Sequence, residues 1–170
     1  MNLDILREGW RMLKRHRTIR REGYLKLGKN AHDICTTTLE KLWNGKYIRT
    51  SLGNYPQFYA RDFGMVAETL KQVGYTKRGK ATVRYALQQY EKAGKVTTHL
   101  SPEGKALNFP NAYSPDSFAY FLIALRVFGG KKLAKEHEPF LQSEVDRFCE
   151  ETLDEEGNII GMKNIFRAEI

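Results

Sequence analysis

Arg61 and Asp62 stand side by side directly after Tyr55, Phe58 and Tyr59 in NYPQFYARDFGM (residues 54–65), where an apolar spacing of helical period begins. A guanidinium and a carboxylate among aromatic rings can bind sugar: the charges bond hydroxyls and a ring covers the apolar face. The same pattern returns further along. Asn54, Pro56, Tyr59 and Asp62 are each followed, 54 positions later, by Asn108, Pro110, Tyr113 and Asp116. Two loops of one design, each leading into a helix, would bring Asp62, Asp116 and Arg61 to one cleft if their hairpins stack. The competing reading is local. A carboxylate in the first turn of a helix satisfies free N–H groups and favours the positive end of the dipole.

Other reactive residue types are sparse. His99 lies in THLSPEGK (residues 98–105), a loop that could offer it to a ligand or use it as a structural hydrogen-bonder. His16, His32 and His137 have no ligand spacing with one another or with the cysteines, so no metal site is expected. GYTKRGKAT (residues 74–82) nearly matches the phosphate-binding pattern G-x-x-x-x-G-K-S/T. It carries Ala81 in place of the hydroxyl, and no strand precedes it, so it reads as a turn between helices. There is no Gly-x-Ser-x-Gly elbow and no cysteine–histidine nucleophile arrangement. No cofactor is expected, and no catalytic residue is identified.

The elements that must position these residues are helical almost throughout. Apolar residues recur at three and four in Leu3, Leu6, Trp10, Leu13, and in Ala31, Ile34, Cys35, Leu39, Leu42, Trp43. A third stripe, Phe63, Val66, Ala67, Leu70, Val73, stops at Gly74. A fourth, Val83, Ala86, Leu87, Tyr90, stops at Gly94. Ser114 as N-cap and Pro115 at the first position open a fifth helix that runs through SFAYFLIALRVF to Gly129-Gly130. Leu141, Val145, Phe148 and Thr152 mark a sixth, followed by the turn DEEGN. KVTTHL is the best strand candidate, as a short ribbon. The expectation is an all-α single domain over 1–170, with a basic N-terminal hairpin over 1–45. The fifth helix is apolar nearly all round, so it should be enclosed, which implies an inner and an outer layer of helices.

The chain is of ordinary globular composition, 41% hydrophobic and 28% charged over 170 residues. No apolar run reaches the ~20 residues needed to span a bilayer, and no membrane partner is expected. The N-terminus lacks an apolar core and carries Asp4 and Glu8, which argues against a secretory signal and against a transit peptide. Cys35 and Cys149 read as small buried hydrophobes in a reducing cytoplasm. The net charge of +8 is largely local to Arg7, Arg11, Lys14, Arg15, Arg17, Arg20, Arg21, Lys26 and Lys29. This is either a solvated basic face or, as the alternative function, a nucleic-acid-binding or adaptor surface over residues 7–29.

Three segments in this order, YPQFYARDFGM, KVTTHLSPEGKAL and NAYSPDSFAYFLIALRVF, resemble the six-hairpin glycosidases, in particular the glucoamylase-like and glycogen-debranching-like members. The resemblance covers residues 50–165. It implies an (α/α)6 toroid with substrate at the loops before the inner helices. It also implies an α-glucan-type oligosaccharide as ligand, with Arg61, Asp62 and Asp116 in the sugar pocket and Tyr59 and Tyr113 on its wall. The family's inverting reaction needs a general acid and a general base. About three of the six hairpins are present, so the acid/base pair is not identified and little hydrolysis is expected. Half a ring leaves inner helices uncovered, which implies a homodimer or a complementary polypeptide.

Overall fold

The computed structural model describes residues 3–108 and 114–158. The chain forms α1 (Leu3–Glu22), α2 (Ala31–Leu42), β1 (Phe58–Tyr59), α3 (Ala60–Gln72), α4 (Thr76–Ala93), β2 (His99–Leu100), β3 (Ala106–Leu107) and α5 (Pro115–Ala124). A π-helical turn over Leu125–Gly129 then leads into α6 (Gly130–Glu136) and α7 (Glu138–Thr152). The protein is mostly helical. No helix of the described residues is long and apolar enough to cross a membrane.

The helix ends follow from local chemistry. Asn30 caps α2 by accepting from the Asp33 N–H at 2.9 Å, and its own amide donates to Asp33 at 3.1 Å. Gly74 and Gly94 have positive φ of 92° and 69°, which stops α3 and α4 where a residue with a β-carbon would be strained. KVTTHL supplies the middle strand of a small antiparallel sheet, ordered β1-β2-β3, with Tyr59 opposite His99 and His99 opposite Leu107.

The core is built on α3 and α5, which run parallel. Arg61 meets Asp116, Gly64 lies on the Tyr120 backbone, and Glu68 pairs with Arg126, so the partners advance in the same sense along both helices. A β-carbon on Gly64 would lie 2.2 Å from the Tyr120 carbonyl oxygen; glycine is what allows the approach. Gly79 plays the same part on α4, where a β-carbon would meet the Phe128 ring at 2.3 Å. The segment read as a turn over 74–82 is therefore a turn only at its start. From Thr76 onward it is α4, and Gly79 serves packing.

Side-chain bonds tie the outer elements to α4 and to the segment that follows it. The Ile48 N–H donates to Thr82 Oγ1 at 3.0 Å, and Tyr47 stacks on Tyr85 at 5.4 Å. Glu40 of α2 accepts from Tyr75 and Arg78 at the start of α4. Glu144 of α7 is buried, accepts the Val96 N–H at 2.6 Å and pairs with Arg147.

Three expectations are corrected. Cys35 and Cys149 are exposed: Cys35 lines an open groove between α2 and α3, and Cys149 lies on the solvent side of α7. α5 is not enclosed on all sides: Phe118, Phe121 and Ala124 are buried, but Ile123 is exposed. The sixth helical stripe is preceded by a further short helix, α6, whose buried anchor is Leu133.

Candidate functional site

The rim where α3 and α5 begin carries most of the residues singled out above. β1 runs straight into α3, so Tyr59 ends the strand and Arg61 sits in the first helical turn. The Tyr59 ring stacks on the His99 imidazole across the β1–β2 pair, 4.9 Å between centroids and 21° between planes. Tyr55 stands edge-on to Tyr59 at 5.9 Å and is itself exposed. The result is an aromatic wall, wet at Tyr55 and dry at His99, which is only 5% exposed.

The position of the His99 ring follows from its neighbour. Thr98 Oγ1 donates its one proton to the Leu107 carbonyl at 2.9 Å. Toward His99 Nδ1, 3.2 Å away, that oxygen therefore accepts, which puts a proton on Nδ1. The Thr98 N–H in turn donates to the Asn108 side chain at 3.0 Å.

Arg61 Nη1 lies 3.3 Å from Asp116 Oδ2, and the two side chains remain 55% and 39% exposed. The other Asp116 oxygen accepts from Ser114 Oγ, which itself accepts from Ser117 Oγ at 3.2 Å. Ser114 thus occupies the N-cap position, yet its hydroxyl serves the Asp116 carboxylate and not a backbone N–H. Asp116 is held at one edge by a hydroxyl and at the other by a guanidinium, and it keeps lone pairs toward solvent.

Asp62 is placed elsewhere. It lines a groove of about 680 Å³ between α2 and α3, with Thr38, Arg49 and Thr50 among mostly apolar neighbours such as Ile34, Leu39, Met65 and Val66. It has no hydrogen bond or ion pair among the described residues. The convergence of Asp62 and Asp116 on one cleft is therefore not found. The reason is rotational: Asp62 is turned from α3 toward α2, whereas Asp116 is turned from α5 toward α3.

The structure thus brings together Arg61 with Asp116, and Tyr59 with His99, on one rim. Tyr113 and Pro110 lie outside the described residues. Sequence reasoning missed Arg49, which donates to the Leu42 carbonyl at 3.3 Å and to that of Lys41, so it closes the C-terminus of α2. It also missed Asn108 as the pin of β2, though the Asn54/Asn108 correspondence marked that residue. Among the described residues no group of three His, Cys, Asp or Glu side chains could hold a metal ion.

Comparison with protein-family models, with curated proteins and with solved structures finds no match to this chain.

Proposed function

We propose that this protein is a carbohydrate-binding domain of six-hairpin glycosidase type, which holds an α-glucan-type oligosaccharide at the rim of α3 and α5 and does not hydrolyse it alone. The observation that carries the reading is the Arg61–Asp116 pair, which joins the first turns of two parallel helices beside the stacked Tyr59 and His99. Sugar recognition asks for this combination: a fixed carboxylate with spare lone pairs, a cation beside it, and an aromatic face. Parallel α3 and α5, linked through α4, also have the relation that successive inner helices of a hairpin ring require. No second carboxylate faces Asp116 among the residues described above, so no acid/base pair is assigned.

Titration of the chain with linear α-glucan oligosaccharides by calorimetry tests this. Saturable binding is expected, with Arg61→Ala and Asp116→Asn each weakening it by about tenfold, as loss of a charge-assisted bond predicts. Absence of binding to every such oligosaccharide overturns the sugar reading, and robust turnover overturns the non-catalytic part. The exposed flank of α3 at Met65, Val66 and Val73, with Ile123 on α5, supports self-association or a second polypeptide beside these helices.

A further inference from the structure

The longest helix is the one the proposed sugar site leaves unused. On α1, Leu6, Trp10 and Leu13 recur at i, i+4 and i+7 and form one stripe. All three are exposed, Trp10 at 65%. The opposite face holds the helix to the body: Arg11 Nη1 donates to the Gly53 carbonyl at 3.5 Å, and a β-carbon at Gly53 would lie 3.7 Å from Arg15 Nε. The Arg11 and Arg15 side of α1 is thus turned inward and its tryptophan side outward. The stripe continues at i+11 as Arg17, with Arg20 and Arg21 beside it, while Arg7 and Lys14 flank Trp10; all five are exposed.

Three kinds of occupant could cover such a face. A second copy paired in parallel would bury the leucines but bring two arginine clusters together, and one paired antiparallel would leave both clusters facing water. A nucleic acid would take the cations and leave Leu6, Trp10 and Leu13 in water. An anionic bilayer surface takes both: the apolar stripe enters the acyl boundary, Trp10 sits at headgroup level, and the long basic side chains reach up to the phosphates.

We propose that α1 is an interfacial anchor that lays its Leu6–Trp10–Leu13 stripe on a lipid surface carrying net negative charge. This departs from the expectation of no membrane partner. That expectation rested on the lack of a spanning run, and a helix lying in the interface plane needs none.

The full chain is to be sedimented with vesicles of phosphatidylcholine alone and of phosphatidylcholine with phosphatidylserine. Binding is expected only to the anionic vesicles, weakened by salt. A blue shift of Trp10 emission, read in a Trp43→Phe background, should accompany it. Leu6→Ser with Leu13→Ser should weaken binding more than about tenfold. Arg17→Gln, Arg20→Gln and Arg21→Gln together should weaken it about a hundredfold, the loss that three interfacial cations predict. An unchanged unfolding midpoint shows that the variants remain folded; should either set unfold, Trp10→Gln alone replaces it. Failure to bind anionic vesicles overturns the proposal, whether or not sedimentation reveals a dimer that depends on the stripe. Equal vesicle binding by the leucine variant also overturns it, and steeply salt-dependent binding of duplex RNA in that variant would assign the face to nucleic acid.

Discussion

Arg61 on α3 and Asp116 on α5 are joined at 3.3 Å across the first turns of two parallel helices, while Asp62, the immediate neighbour of Arg61, faces the groove between α2 and α3. Adjacent residues on a helix diverge by about 100°, so one of the two serves the rim and the other the α2 groove. The two carboxylates should therefore respond differently to the same change. Asp116→Asn should weaken oligosaccharide binding about tenfold and change stability by less than about 1 kcal/mol, because its ion pair is exposed. Asp62→Asn should leave binding unchanged and lose only a dipole-favoured charge, about 0.3–1 kcal/mol. Paired calorimetric titration and urea unfolding check both, and a loss of binding in Asp62→Asn would falsify the division.

Glycines make a second contrast. Gly64→Ala forces a β-carbon against the Tyr120 backbone and should cost about 1–3 kcal/mol or more as α3 and α5 separate. Gly9→Ala meets nothing within 4 Å on α1 and should stabilise that helix by about 0.5–1 kcal/mol. Urea midpoints for the first and far-UV circular dichroism for the second are the measurements.

The fold was legible where one stripe ended in one stop signal, as at Gly74 and Gly94. It was illegible where the signal was too small or too local. GKKLAKE offers a helix only Leu133 and Ala134 as apolar anchors, and the π turn inserts its extra residue inside LRVFG, a largely apolar stretch that reads the same with or without it. At the rim, spacing gave the distance of each aspartate from its helix start. It could not give the rotation of each helix about its axis, which is set by Gly64 seating α3 on Tyr120. The exposure of Cys35 has the same origin, since a helical stripe fixes a face and not what lies opposite.

Glu144 predicts a pH dependence. Burial raises its carboxyl above the ordinary glutamate range, against the opposing pull of the Val96 N–H and Arg147. The folded chain therefore holds that proton more tightly than the unfolded chain does. The corresponding stability is full below the unfolded glutamate value and is lost as pH rises through the raised folded value. In Glu144→Gln, which still accepts from Val96, this slope should vanish. Urea midpoints from acid to neutral pH should thus fall more steeply in the parent than in the variant; parallel curves count against the assignment.

The tyrosines should titrate in separate groups. Burial pushes Tyr47 up to about 12 and Tyr90 higher still, and the Tyr90 hydroxyl donates to the Thr97 carbonyl at 3.0 Å. Both phenols stay neutral in the fold, so their stability is present below pH ~10 and is lost as pH climbs through the folded values. Absorbance titration should show them ionising only with alkaline unfolding. Tyr90→Phe should remove one late step and cost about 1–3 kcal/mol by leaving the Thr97 carbonyl unmet.

The absence of any linker between β1 and α3 has a kinetic meaning. The Ala60 N–H, which opens the helix, is bonded to the Thr98 carbonyl beside β2 at 3.2 Å, and Thr98 also sets the His99 ring. Ribbon and helix start therefore belong to one cooperative opening unit. Fraying of the ribbon would uncap α3 and unstack Tyr59 from His99 in the same event, so amide exchange at Ala60 and at the β1–β2 pairs should share a single protection factor. The aromatic wall would then exist only while the ribbon is closed, and occupancy by a ligand against Tyr59 would slow the exchange of backbone amides that it does not touch.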